Sequence, residues 1–179
     1  TYQLNMNINA LSVANYFIEL AHKENRPIHL LGLVKRVYIA HGFSLAMLDK
    51  PLIDPRFDRV EAWKYGPVIP SVYHSFKQYK ASPITEPTVI MECDENFTPT
   101  FITPTLIDEK AKMIVEMVWN RYRNYTDSQL VSLTHREGTP WGACYVPGEN
   151  REIPDRFTKF FYSKLVKIIL NNAKEKTNN

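Results

Sequence analysis

The segment from Leu30 to Leu48 constrains the fold more than any other part of the sequence. Helical numbering places two apolar stripes along it. A helix that is apolar on two sides must be covered on both, so the segment predicts a helix at the centre of the core. The first stripe consists of Leu31, Val34, Tyr38, Leu45 and Leu48, and the second of Leu30, Leu33, Val37 and Ala40. Gly42 interrupts the pattern, which indicates either a close helix crossing or a kink.

Five further segments carry helical spacing. Their N-terminal signals are, in chain order, Asn7 or Asn9, Pro70, Thr105 with Asp108, Thr126 with Gln129, and Pro154. A short polar side chain before an apolar run caps a helix, and proline fits the first helical position because its missing N–H would be unpaired there. These helices are expected to end near Lys23, Tyr79, Tyr122, Thr134 and Ala173, with residues 1–7 and 174–179 as loose tails.

The last helix is expected to carry apolar residues at helical spacing on one face and to turn its basic residues mostly to water. The apolar face consists of Phe157, Phe160, Phe161, Leu165 and Ile168. The basic residues are Arg156, Lys159, Lys164 and Lys167. A solvated face explains such charges better than a nucleic-acid patch does.

Residues 81–105 are rich in proline and threonine and have almost no helical period. Thr88–Cys93 and Phe97–Thr103 are enriched in β-branched and aromatic residues, with the polar residues 94–96 between them. This arrangement predicts a β-hairpin. Because an isolated hairpin is marginally stable, we expect it to lie against the helices or to pair with a strand at Arg59–Trp63.

Together these elements predict a mainly α fold with a minor β part. The expected architecture is a compact bundle of about six helices with a small antiparallel hairpin or sheet. The chain of 179 residues is long enough to bury a substantial core. No repeat or long linker divides it, so a single domain over residues 1–179 is predicted.

Composition bears on function mainly by exclusion. A hydrophobic content of 44% and a charged content of 23% are typical of a soluble globular protein, and a net charge of +3 disfavours nucleic acid as the partner. No uninterrupted apolar run reaches the roughly 18 residues that span a bilayer. The first residues lack the basic and apolar regions of a signal peptide, and residues 1–7 are too few for an added DNA-binding segment. A cytoplasmic protein without a membrane partner is expected.

No motif in the sequence predicts catalysis. A glycine-rich phosphate loop, a GxSxG elbow and an HExxH motif are all missing. Cys93, Cys144 and the scattered histidines lack metal-ligand spacing, so neither a metal nor another cofactor is predicted. His135 with Cys144 comes nearest to a nucleophile pair, but nothing in the sequence orients the histidine. We expect His135 to close a helix end and Trp141 to fill a gap after a turn, and we do not predict an enzyme.

The stretch from Glu61 to Phe76 combines aromatic residues with Gly66-Pro67 and Pro70. Proline disfavours the α region for the residue before it, and glycine meets this demand with the least strain, so Tyr65-Gly66-Pro67 predicts a turn. We expect a rigid, aromatic-lined turn that leads into a helix. Both a packing corner and a binding surface fit this pattern.

Three blocks of sequence carry a family resemblance. The helix with VKRVY at 34–38 is followed by AWKYGPV at 62–68 and then by LTHREGTPW at 133–141. Their order and content resemble the Panacea domain, also described as the SocA-like or GepA-like phage-associated domain, over roughly residues 10–165. The resemblance implies a mostly helical fold with a small sheet, and an antitoxin role in which toxins of different kinds are neutralised by binding. It also implies, for one relative, delivery of the toxin to a protease.

The sequence departs from the family pattern in two places. Residues 32–38 read GLVKRVY where the family usually has KLQKLLY, and residues 81–105 carry no strong family signature. Because relatives bind unrelated toxins, the variable parts are expected to hold the specificity for the partner.

The resulting hypothesis is a non-enzymatic, antitoxin-like protein that neutralises a cognate toxin by direct contact, with a protease-adaptor role in addition. One alternative is a phage or mobile-element factor that binds a host defence protein, and another is an enzyme built on His135 and Cys144. The motif residues expected to form the scaffold and part of the binding surface are Trp63, Tyr65, Gly66, Pro67, Tyr73, His74, Thr134, His135, Pro140 and Trp141.

Overall fold

The computed structural model describes residues 9–178. Within this range the α-helices are α1 (Ala10–Lys23), α2 (Leu30–Leu48), α3 (Pro70–Phe76), α4 (Glu109–Tyr122), α5 (Asp127–Thr134), α6 (Pro140–Cys144) and α7 (Asp155–Thr177). The strands are β1 (Glu61–Trp63), β2 (Gly66–Val68), β3 (Ile90–Cys93), β4 (Pro99–Ile102) and β5 (Arg151–Glu152). All strand pairs are antiparallel. Because long helices dominate and the strands are short, the prediction of a mainly α fold with a minor β part is confirmed.

Helix α6 was not predicted, since Gly138, Pro140 and Gly142 indicated a break in the chain. Pro140 instead occupies the first helical turn. The Thr139 side chain caps the helix by accepting a hydrogen bond from the N–H of Gly142 at 3.3 Å. The residues that were expected only to break the chain therefore begin a new, five-residue helix.

Helix α2 lies at the centre and packs against α1, α4, α5 and α7. Both predicted stripes are mostly buried, although Leu31 is 43% exposed. In length and hydropathy α2 is the one helix of residues 9–178 that would suffice to cross a membrane, but 83% of its apolar window is buried inside the protein. This is the position of a core helix.

Gly42 lies where α2 crosses α7. A Cβ atom added to it would lie 2.3 Å from the ring of Tyr162. That ring is buried and makes edge contacts with Tyr38 and Phe43, with centroid distances of 6.0 and 5.2 Å. Of the two roles predicted for Gly42, the close helix crossing is therefore the one observed.

Strands β1, β2 and β5 form a three-stranded sheet with β1 in the middle. Trp63 pairs with Gly66, so the turn consists of Lys64-Tyr65, and Gly66-Pro67 opens β2 rather than forming the turn itself. Gly66 has φ +109°, a backbone conformation that favours glycine. Pro70 then begins α3, as predicted, and the turn leads through β2 into that helix.

Strands β3 and β4 form the predicted hairpin as a separate sheet. Of the two predicted positions for the hairpin, pairing with Arg59–Trp63 is not observed, because β2 and β5 occupy the two edges of β1, and contact with the helices is. The hairpin is instead held to α1 by Asn15. Its side-chain amide donates to the carbonyls of Thr88 at 3.1 Å and Pro104 at 2.9 Å, and accepts from the N–H of Thr88 at 2.9 Å.

The helix caps are partly as predicted. Asn9 and Thr126 cap α1 and α5 with reciprocal capping boxes. Thr105 does not cap α4, however, because Asp108 accepts from the N–H of Ala111 at 2.9 Å and the helix begins at Glu109. The predictions of Asn7 as the alternative cap and of a loose tail at residues 1–7 concern residues outside those described.

Helix α7 is longer than predicted. It continues to Thr177, past the end expected near Ala173 and through most of the predicted tail at 174–179. Of its apolar residues at helical spacing, Phe161 and Leu165 pack against the core, whereas Phe160 and Ile168 are 65% and 56% exposed. The crossing at Gly42 places the Tyr162 side of α7 against α2.

Candidate partner-binding surfaces

Two of the three blocks of family resemblance, AWKYGPV at 62–68 and LTHREGTPW at 133–141, meet in the fold although they are far apart in sequence. We call these two the family-like blocks. The indole Nε1–H of Trp141 donates to the carbonyl of Trp63 at 2.7 Å. The imidazole Nε2 of His135 lies 2.8 Å from the carbonyl of Lys64. Because a carbonyl only accepts, this nitrogen carries the proton. The end of α5 and the start of α6 therefore hold the β1–β2 turn through two hydrogen bonds to its backbone.

The aromatic rings of this region form two groups, one of Trp63, Tyr73 and His74 and the other of His135 and Trp141. The His135 and Trp141 rings have centroids 4.0 Å apart, and those of Trp63 and Tyr73 meet edge to face at 5.0 Å. His74 lies beside the latter pair. His135 is the residue that ends α5, as predicted.

The ten predicted motif residues divide clearly by exposure. Gly66, Pro67, Thr134 and Pro140 are buried, and Trp63, Tyr73, His135 and Trp141 are half-buried. Tyr65, which is 59% exposed, and His74 present their side chains to solvent. The structure thus brings these residues to one region, but leaves two of them free to contact another molecule.

Lys35 lies beneath this region and was not singled out from the sequence. Its side chain is 1% exposed, and Nζ donates to the carbonyl of Pro67 at 3.0 Å. Burial lowers the pKa of the Lys35 amine to about 7. A Cβ at Gly66 would lie 3.0 Å from that amine, so glycine leaves room for it. The one available signal was a lysine within a helix that is apolar on two sides.

The described residues do not assemble the His135–Cys144 pair that the sequence offered as a nucleophile. No hydrogen bond joins His135 to Cys144 within residues 9–178, and burial raises the pKa of the Cys144 thiol, which disfavours the nucleophilic thiolate. His41 is buried, but Nδ1 accepts from the N–H of Leu52 at 3.1 Å and Nε2 faces Asp155 at 2.9 Å, so both nitrogens are used. The same part of the chain contains no cluster of three metal-ligating side chains.

The β3–β4 hairpin has an apolar side that no other described element covers. We call it the hairpin face: Val89, Met91, Cys93, Pro99 and Phe101. Met91 and Phe101 lie directly opposite each other and are 62% and 74% exposed. Phe97, in the turn, is 87% exposed. The region at residues 81–105, which was predicted to hold the specificity for the partner, thus carries a solvent-exposed apolar surface.

A second apolar surface lies between α6 and α7. We call it the α7 groove; it has a volume of about 750 Å³. Pro140 and Ala143 line one side, and Phe157, Phe160, Leu165 and Ile168 line the other. Three basic residues, Arg136, Arg156 and Lys164, complete the lining. The groove therefore joins one family-like block to the apolar stripe that α7 leaves exposed.

Comparison with known proteins identifies the family. The sequence profile described as "Antitoxin SocA-like, Panacea domain" matches residues 33–142, more than half of the chain. The chain belongs to this family. The match runs from α2 into α6 and includes both blocks and the hairpin, while α1 and α7 lie outside it. The resemblance predicted from the sequence is confirmed.

A curated Panacea-domain relative supports the same assignment. The chain is 31% identical over 144 residues to Antitoxin SocA of Caulobacter vibrioides (strain NA1000 / CB15N). The aligned part covers 80% of this chain and 74% of that protein. No solved structure matches the chain significantly. Family membership supports an antitoxin role and therefore a protein as the partner.

Proposed function

We propose that this Panacea-domain protein neutralises a protein toxin by binding it directly. The family supports a toxin as the class of partner. The observation that carries the proposal is the hairpin face, an apolar surface in the region where the sequence departs from the family pattern. A binding surface in a region without a strong family signature fits a scaffold that recognises different toxins.

Covering the hairpin face would remove a contiguous apolar surface from water. Burial of one Met or Phe side chain contributes about 1.5–3 kcal/mol, and Met91 and Phe101 form a cross-strand pair that one partner would cover together. Exposed patches of this kind mark interaction sites. The two-stranded hairpin also has outer edges to which a strand of the partner can add.

The charge of the hairpin region defines the partner further. Residues 81–105 contain Glu86, Glu92, Asp94 and Glu95 but no lysine or arginine. Surfaces of opposite charge attract each other during encounter and exclude partners of like charge. We therefore propose that the toxin presents an apolar patch with a basic rim to the hairpin face.

We propose two roles for the motif residues. Tyr65 and His74 are the members with exposed side chains, so we assign them to partner contact. The other eight hold the β1–β2 turn against α5 and α6, as the hydrogen bond from Trp141 to Trp63 illustrates. In this proposal the blocks maintain the fold and the hairpin provides most of the specificity.

We further propose that the protein acts without catalysis or a cofactor, in the cytoplasm. The His135–Cys144 enzyme is disfavoured because the histidine bonds to the carbonyl of Lys64 and burial opposes ionisation of the thiol. Binding to a toxin requires only a complementary surface, which the hairpin face offers.

The test is purification of the tagged protein from its native cells, followed by co-expression with the protein that co-purifies. The proposal expects a partner that stops growth when expressed alone and is harmless beside this protein. A partner that is not toxic would overturn it. A host defence protein in that position would support the phage or mobile-element alternative, which uses the same surface.

The same experiment separates occlusion from a protease-adaptor role. If binding alone neutralises the toxin, its amount in the cell stays constant or rises on co-expression. If the toxin is delivered to a protease, its half-life shortens on co-expression and recovers when protease genes are deleted.

A further inference from the structure

We propose that the α7 groove binds an acidic, amphipathic α-helix of a protein partner. The groove is separate from the hairpin face and differs from it in charge. The inference shares with the proposed function only the premise that the partner is a protein, and it stands on the shape and chemistry of the groove itself.

The α7 side of the groove follows helical spacing. Phe157, Phe160, Lys164 and Ile168 recur at steps of three and four residues and so lie along one line of the helix. From Phe157 to Ile168 the line extends about 16 Å, or about three helical turns. Pro140 and Ala143 of α6 form the opposite side at one end. A concave apolar surface of this length matches a partner helix of about three turns.

The charges in the groove all have one sign. Arg136, Arg156 and Lys164 line it, and no described lining residue carries a carboxylate. The guanidinium of Arg156 lies 5.1 Å from the ring centroid of Phe157, and Nζ of Lys164 lies 4.2 Å from that of Phe160. Each cation thus lies over an apolar residue of the groove. A helix with an apolar stripe and Asp or Glu beside it would satisfy both features.

Lys159 gives an internal comparison on the same helix. It lies outside the groove lining, and its Nζ bonds to Asp49 at 2.6 Å. Arg156 and Lys164 instead make no ion pair within residues 9–178. The two α7 cations that line the groove are therefore not neutralised by a carboxylate of residues 9–178, and neither is Lys167, which lies outside the lining.

The observations favour a helix over an anionic membrane. A bilayer surface is flat, and would meet the outer side of α7 without entering the space between α6 and α7. The groove also includes Arg136 and Pro140 of a family-like block, which lie on a different element from α7. Only a narrow partner contacts both sides at once.

The first test places the photo-crosslinking amino acid p-benzoylphenylalanine at position 160 of the full chain in its native cells. Position 57 is the matched control, since Phe57 is also highly exposed and lies outside the groove. We expect a crosslink specific to position 160 that maps to a partner segment with apolar residues at helical spacing and flanking carboxylates. No specific crosslink, or one to a segment without those features, would overturn the inference.

The second test measures binding of a synthetic peptide copied from the crosslinked segment. The charge-reversed variant Arg136→Glu/Arg156→Glu/Lys164→Glu should bind it about tenfold or more weakly than the unchanged protein. The control Lys77→Glu/Lys110→Glu/Lys174→Glu changes the net charge equally at exposed positions outside the groove. Equal weakening by both variants would overturn the inference, and thermal melts establish that both are folded.

Two further outcomes also overturn it. Binding to anionic phospholipid vesicles, with no peptide binding, would assign the surface to membranes, and a crosslink to a second copy of this chain would assign it to self-association. Failure of the inference is separable from failure of the proposed function. Unweakened peptide binding by the charge-reversed variant overturns the groove inference alone, and a co-purified partner of the hairpin face that is not toxic overturns the antitoxin proposal alone.

Discussion

The indole N–H of Trp141 donates to the carbonyl of Trp63 at 2.7 Å and so joins the two family-like blocks. One block supplies a strand and turn and the other a helix end. The contact is half-buried, where a hydrogen bond is worth more than at the surface. The relationship gives a structural reason for the two blocks to occur in one chain: although they differ in sequence, each holds the other in place.

Replacement of Trp141 by Phe should destabilise the fold without removing the toxin-binding surface. Loss of this hydrogen bond is expected to lower the free energy of unfolding by about 1–2 kcal/mol, as measured by urea denaturation. Trp63→Phe is the matched control, because the buried Trp63 Nε1 has no acceptor among residues 9–178. Equal losses in the two variants would show that the hydrogen bond contributes nothing beyond ring packing.

Lys35 should make the stability of the protein depend on pH. Its pKa is about 7 in the folded protein, against an ordinary value of 10.5. Between these values the unfolded chain binds more protons than the folded one, so stability rises as pH increases. From pH 7 to 9 we expect a rise of roughly 1 kcal/mol per pH unit.

Lys35→Met separates this effect from other titrating groups. Methionine has a similar length and no charge, so the rise between pH 7 and 9 should largely disappear in the variant. Urea denaturation at pH 7, 8 and 9 measures it. An identical slope in the variant and the unchanged protein would place the titration elsewhere.

Gly42→Ala should destabilise the protein even though alanine favours a helix. The added Cβ would lie 2.3 Å from the buried Tyr162 ring, which has no room to move. Overpacking of this kind typically costs about 1–3 kcal/mol. A double-mutant cycle with Tyr162→Leu tests the cause: the penalty for Gly42→Ala should shrink when the ring is gone. An unchanged penalty would mean that another contact is responsible.

Much of the fold follows from local sequence signals. The two-sided apolar pattern of α2, the capping box at Thr126 and the β3–β4 hairpin are each specified by residues close in the chain, and each is confirmed. The pairing of β1 with β5 was not predicted, because β5 lies far along the sequence and contributes only two residues. A strand that short leaves almost no periodic pattern to detect.

The candidate binding surfaces were only partly predictable, because they depend on contacts between elements that are distant in the sequence. The blocks could be recognised, but the contact of Lys35 with Pro67 depends on how α2 and the sheet meet. Which side of α7 is buried also depends on a tertiary contact. The sequence shows that Phe160 and Ile168 share a stripe, but the Gly42–Tyr162 crossing decides which side of the helix is covered.

The hairpin face should govern toxin binding with little effect on stability. Met91→Ser/Phe101→Ser removes two exposed apolar side chains, so the unfolding free energy should change by less than about 0.5 kcal/mol per site. Rescue of growth beside the toxin should be lost. Phe57→Ser is the control, since this exposed residue lies on another element. Full rescue by the double variant would exclude the hairpin as the contact.

The most direct measurement mixes the purified protein with its purified toxin and no other component. The account predicts a stable complex by calorimetry and loss of toxin activity at the same molar ratio, with both effects weakened by Met91→Ser/Phe101→Ser. If the toxin stays fully active in the mixture and is neutralised only in cells, direct occlusion by this Panacea-domain protein is contradicted.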